Sequence, residues 1–201
     1  MKTKRVVRGH QNRILVAASA LSLALWSGLA GADLIQCPNA PAAGATDIPE
    51  TCNGLAITCY GTAGDDVIEG SDYNDVIAAM GGLDTIEGHS GDDTICAGSG
   101  EDFVKGGGGS DTVFGDSGDD RVEGGPGDDT LIGDFGNDIL YGGQDNDYLD
   151  GGDGTDWIDG GGGDDECYGG AEGEDDILAD CEIGTVTDDE PEPGSAKGKK
   201  N

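Results

Sequence analysis

Twelve aspartates recur at intervals of nine residues without a break: Asp66, Asp75, Asp84, Asp93, Asp102, Asp111, Asp120, Asp129, Asp138, Asp147, Asp156 and Asp165. A carboxylate repeated so evenly does not describe an acid–base dyad, which needs two unlike carboxyl environments at one place. It describes a repeated donor. Glycine stands two residues before the aspartate in ten of the twelve cases. That residue type tolerates the left-handed backbone that turns carbonyl oxygens out of a loop. Carboxylate and carbonyl oxygens together suit a hard divalent cation, whereas transition metals favour nitrogen or sulfur. Beyond residue 32 the chain has one histidine, His89, which reads as an incidental surface side chain.

Counted from those aspartates, nine-residue units run from "GTAGDDVIE" (61–69) to "GGGGDDECY" (160–168), with the aspartate at position six. Position eight is aliphatic in eleven units (Ile68, Ile77, Ile86, Ile95, Val104, Val113, Val122, Leu131, Leu140, Leu149 and Ile158) and Cys167 in the twelfth. Positions seven to nine therefore read as a short strand with position eight inward and its neighbours outward. The six residues before them read as a glycine-permitted turn. Two units complete one coil, so residues 18 apart stack, and two parallel sheets enclose a thin aliphatic seam. The expected class is all-β.

One aliphatic side chain per nine residues is a thin core to set against the backbone entropy of nine residues. The aspartates make matters worse. Stacked at the strand spacing of about 4.7–4.9 Å, two carboxylates repel by about 0.9 kcal/mol even in bulk water. A cation has to lie between them. Calcium accepts 6–8 oxygens in flexible geometry, while magnesium demands a near-ideal octahedron and keeps its waters. Calcium is the better fit to a carbonyl-rich loop.

The frame resembles the G-G-x-G-x-D-x-U-x repeat of the RTX, or hemolysin-type, calcium-binding proteins, with U a large aliphatic residue. "GGPGDDTLI" (124–132) and "GGDGTDWID" (151–159) match it closely, and the resemblance covers residues 61–168. It implies a parallel β-roll with calcium held between loops of successive coils. Asp66, Asp84, Asp102, Asp120, Asp138 and Asp156 would line one edge, and Asp75, Asp93, Asp111, Asp129, Asp147 and Asp165 the other. Six loops per edge leave five gaps, so roughly ten calcium ions would fill the roll. Ala79, Met80, Tyr73 and Asp145 depart from the glycine positions of the motif. After Tyr168 the frame slips. "GGAEGEDDIL" (169–178) fits with one inserted residue, which makes Asp175 a thirteenth ligand. Many members of the family leave the cell through an exporter that reads a C-terminal signal; this chain carries a different kind of signal at its N-terminus.

Residues 1–32 hold five positive charges and no negative one, then "ILVAASALSLALWSGLAGA", ending in Ala30-Gly31-Ala32. This is the pattern of a secretory signal peptide. Its removal takes the formal charge from −32 to −37 and leaves no membrane span. So acidic a chain excludes nucleic acid as a partner. Six cysteines in an exported chain predict disulfides, and six allow 15 pairings. Cys167 and Cys181 read as one bridge; the pairing of Cys37, Cys52, Cys59 and Cys96 stays open. The chain thus divides into a signal peptide (1–32), an N-terminal cap (33–60), the β-roll (61–168), a C-terminal cap (169–184) and a disordered tail (185–201). Within the first cap "LAITCY" (55–60) reads as a half-coil with Cys59 inward.

Neither H-E-x-x-H nor G-x-S-x-G occurs, and the expectation is a non-enzymatic, secreted calcium-binding protein whose roll folds on extracellular calcium. The alternative is a calcium-stiffened adhesive or structural surface protein with a cell-surface or self-association partner. Its surfaces would be the outward Phe103, Ile139, Tyr141 and Trp157 on one sheet and Phe114, Ile132, Tyr148 and Tyr168 on the other. Cross-strand pairing of those rings is the simpler account of them.

Overall fold

In the computed structural model, which describes residues 33–37, 51–170, 176–181 and 183–185, one local pattern repeats from Thr85 to Gly162: a six-residue strand followed by a three-residue turn.

Strands from Thr112 to Phe135 show burial that alternates with a period of two: positions seven and nine half-buried, position eight and the next unit's position one buried. These strands are twice the length expected. Position one is a glycine that passes inward without filling the core, and the ladder carries on through position three. Gly125 and Pro126 sit opposite Gly143 and Gln144, and the Gly100 N–H donates to the Ser117 carbonyl at 2.8 Å. Backbone groups that a six-residue turn would leave to water are thereby paired. Only positions four to six form the turn.

Each coil lies parallel on the next with an offset of 18 residues, as in Thr112↔Thr130 and Arg121↔Ile139. One eight-stranded sheet runs from Asp33–Gln36 through Asp66–Glu69 to Ile177–Ala179; the other runs from Cys59–Tyr60 through Val76–Ala78 to Ile183–Thr185. The result is an all-β parallel solenoid of about six turns, with no helix among the described residues. All twelve position-eight side chains are fully buried between the sheets, joined by Ala79 and Ala97. The outer rings pair across strands. Tyr141 meets Trp157 edge-on at 4.9 Å, Tyr148 meets Tyr168 at 5.4 Å, and the Arg121 guanidinium lies 4.4 Å from the Tyr141 ring centre.

The ends differ from expectation in two respects. Asp33–Gln36 pairs in register with Asp66–Glu69 and supplies a half-turn before the first repeat. Leu55–Ala56 forms a hairpin with Thr51–Cys52 instead of joining the roll; its two-residue turn, Asn53-Gly54, has positive φ at both residues, as such turns require. Cys59 does occupy the inward place, opposite Ile77. Three disulfides, Cys37–Cys59, Cys52–Cys96 and Cys167–Cys181, close the two ends.

Candidate metal centres

The position-six aspartates turn into the loops and are no more than 4% exposed. From Asp84 onward each accepts, on Oδ1, the backbone N–H of the aspartate one coil earlier. On one edge Asp66 donates to Asp84 at 2.7 Å, Asp102 to Asp120 at 2.8 Å and Asp138 to Asp156 at 2.8 Å. On the other, Asp75 donates to Asp93 at 2.7 Å, Asp111 to Asp129 at 2.8 Å and Asp147 to Asp165 at 2.9 Å. The twelve residues therefore stack in the two columns read from the sequence.

The second carboxylate oxygen is the informative one. In Asp84, Asp93, Asp102, Asp111, Asp120, Asp129, Asp138 and Asp147, Oδ2 is buried and has no hydrogen-bond partner. In six of these eight units a position-one glycine faces it; Ala79 and Ala97 hold position one in the units of Asp84 and Asp102. A Cβ at Gly115 would stand 2.6 Å from Asp120 Oδ2, and one at Gly124 would stand 2.4 Å from Asp129 Oδ2. In those six units glycine keeps the space beside a bare carboxylate open.

Such carboxylates resist ionisation. Burial, with the neighbouring rungs' negative charge added, pushes Asp84, Asp93, Asp129, Asp138 and Asp147 up to about 7 and Asp120 up to about 8, against an ordinary 3.8. Burial likewise raises Asp102 and Asp111. The hydrogen bond from the preceding rung acts in the opposite sense and does not prevail. A buried oxygen with negative charge and no donor is where a cation binds most favourably. No three acidic, histidine or cysteine side chains converge on one point among the described residues. A cation there would take one carboxylate from a rung and complete its shell with backbone carbonyls. That is calcium's ligand preference, and the residues fit it.

The first rung on each edge is built otherwise. Asp66 Oδ2 accepts the Thr62 N–H at 2.6 Å and the Thr62 hydroxyl at 3.0 Å; Asp75 Oδ2 accepts the Ser71 N–H at 2.7 Å and hydroxyl at 2.8 Å. The motif departures divide in the same way. Met80 takes the left-handed φ of 82° that position two adopts in later units, and Asp145 takes 71° at position four, whereas Tyr73 lies in the hydroxyl-closed loop. His89 is exposed and lies 3.5 Å from Glu87. At the far end Asp175 lies outside the described residues. Asp176, reached by two inserted residues and not one, accepts the Asp156 N–H at 2.8 Å, with Ile177 opposite Trp157.

Position five holds a second ladder that the sequence reading left unassigned. Asp119 Oδ1 accepts the Asn137 N–H, and Asn137 Oδ1 accepts the Thr155 N–H. The same bond runs from Asn146 to Asp128. Asp or Asn at position five in eight units was the visible signal.

Six overlapping stretches between residues 60 and 177 match the family model of the RTX calcium-binding nonapeptide repeat: 60–95, 89–122, 97–131, 114–149, 123–158 and 141–177. The chain belongs to the RTX calcium-binding repeat family. Comparison with curated proteins found no match. RTX repeats bind calcium in a β-roll, so the stacked coils are a calcium-binding scaffold. The family is typically structural and calcium-binding. No helix among the described residues is long and apolar enough to cross a membrane.

Proposed function

We propose that this RTX protein is exported and completes its fold on binding extracellular calcium, with the position-six aspartates from Asp84 onward as ligands. The observation that carries the reading is the column of buried, partnerless Oδ2 atoms on each edge. Without a cation the roll must either protonate those carboxyls or hold bare charges in a dry loop, and both are unfavourable at neutral pH. Extracellular calcium modules bind at about 10⁻⁴–10⁻³ M. Cytosolic calcium would leave such sites empty and the exterior would fill them, so binding energy becomes folding energy. Three disulfides and the charged-then-apolar N-terminus support the exported route. The repeated rungs leave no unique pair of carboxyls for acid–base work, which supports a non-catalytic role.

The ligand role is assigned to Asp84 through Asp165 on both edges. Asp66 and Asp75 act as end rungs, because Thr62 and Ser71 already occupy their Oδ2 atoms. The test is far-ultraviolet circular dichroism of the oxidised protein in calcium and in chelator, read with isothermal titration. A large gain of β signal with heat of binding supports the reading. One folded spectrum in both conditions, with no calcium uptake, sinks it.

A further inference from the structure

We propose that the first turn of the roll is closed by hydroxyl groups and disulfides in place of calcium, stands folded in the metal-free protein, and templates the later turns as calcium arrives. The inference rests on the calcium-folding reading above and goes beyond it by giving folding a starting end and a direction.

Three observations meet at that end. The first concerns position two. From Met80 to Gly161 every position-two residue has positive φ, including the non-glycines Met80 (82°), His89 (80°), Asp116 (69°) and Asp134 (71°). Thr62 and Ser71, which hold that place in the first two units, do not. Their loops turn an N–H and a hydroxyl toward the carboxylate at 2.6–3.0 Å. These donors fill the place beside Oδ2 that a cation would take in a later rung.

The second observation is that closure extends to the other oxygen on one edge. Asp75 Oδ1 lies 3.4 Å from the Thr58 hydroxyl, which also lies 3.2 Å from the Val76 carbonyl oxygen and accepts the Val76 N–H at 2.9 Å. Asp66 Oδ1, with no earlier aspartate rung donating to it, is the one oxygen of these two carboxylates left without a partner. In the next rungs, Asp84 and Asp93, the orphan is instead Oδ2, on the side where a cation would sit.

The third is covalent. Cys37–Cys59 ties the half-turn before the repeats to the first strand of the second sheet, and Cys52–Cys96 ties the hairpin to the third strand of that sheet. Their sequence separations of 22 and 44 exceed the 14 of Cys167–Cys181, so they remove more chain freedom from the metal-free state. A preformed turn presents strand edges on which the next coil can pair.

Hydrogen exchange by mass spectrometry on the full chain, disulfides oxidised, tests this. In chelator, amides of residues 58–60, 66–69 and 76–78 should exchange about tenfold or more slowly than those of 121–162. As calcium alone is titrated in, protection should spread from 85–99 toward 157–162. Fast exchange of the first turn in chelator, or protection spreading from the other end, overturns the template while leaving calcium folding intact. Full protection of every turn in chelator overturns the calcium reading itself. In the double variant Thr62→Gly with Ser71→Gly the first turn should lose its chelator-state protection while the calcium-loaded later turns keep theirs. Unchanged protection in that variant also overturns the proposal.

Discussion

Replacing Asp120 with asparagine separates the two roles of a rung, because shape and charge then pull in opposite directions. Asp120 is 2% exposed, accepts the Asp102 N–H on Oδ1 at 2.8 Å and leaves Oδ2 without a partner. Asparagine keeps the acceptor and removes the charge. In the metal-free fold burial and the charges of Asp102, Asp138 and Asp116 hold the Asp120 carboxyl up at about 8, against 3.8 when unfolded. At one pH unit per 1.36 kcal/mol, holding that group folded at neutral pH costs at most about 4 kcal/mol. Partial solvent screening and local relaxation reduce this to about 1–3 kcal/mol. Asp120→Asn should therefore stabilise the metal-free roll by about 1–3 kcal/mol. In saturating calcium the sign reverses, because the variant has lost a charged ligand and the binding energy linked to it. The assay is urea unfolding followed by circular dichroism, in chelator and in millimolar calcium. Asp119→Asn serves as control: Asp119 Oδ1 accepts the Asn137 N–H from an exposed site, and asparagine can do the same. It should shift stability by under about 0.5 kcal/mol in either condition. If Asp120→Asn destabilises both states equally, the carboxylate is only a hydrogen-bond acceptor and the cation argument fails.

The raised carboxyls also set a pH dependence. Stability of the metal-free roll should be fullest below the unfolded value of 3.8 and fall as pH rises through about 7 to 8, whereas calcium affinity should weaken as pH falls through that range; chelator-state melts and calcium titrations at several pH values check both. Gly118→Ala should be severely destabilising in calcium, because φ is +134° and the new Cβ would meet the Gly100 carbonyl oxygen at 1.6 Å, while Gly108→Ala meets nothing within 4 Å and should stay within about 1 kcal/mol of the parent in the same melts. Leu131→Ala opens a cavity in the fully buried seam and should cost about 2–5 kcal/mol in calcium-loaded urea unfolding. Replacing both Cys167 and Cys181 with serine removes a bridge across 14 residues and should cost about 3 kcal/mol, read as a lower unfolding midpoint.

Much of the site was legible because its logic is local. Position eight faces inward in every unit since a strand alternates sides whatever its neighbours do. The two columns of aspartates follow from the same period once two units make a coil. Cys167–Cys181 was readable because an inward cysteine has a second one only 14 residues on. The strands proved longer than expected, since glycine, at position one in ten of the twelve units, weakens any strand reading yet leaves room for the chain to pass a carboxylate. The two-residue insertion before Asp176 was misjudged as one because "EDD" offers two aspartates in succession and only the register with Trp157 chooses between them.

Residue types and their spacing alone determined the period, the seam, the all-β class and the oxygen chemistry that selects calcium, because each depends on what a nine-residue unit can do by itself. Tertiary structure decided which carboxylate oxygens go without a donor, where Asp33–Gln36 pairs, and that Cys37 meets Cys59 while Cys52 meets Cys96. Those outcomes join residues 18 to 44 positions apart, or turn on whether one loop residue adopts a left-handed φ. Neither distance in space nor backbone angle is written in a residue's type.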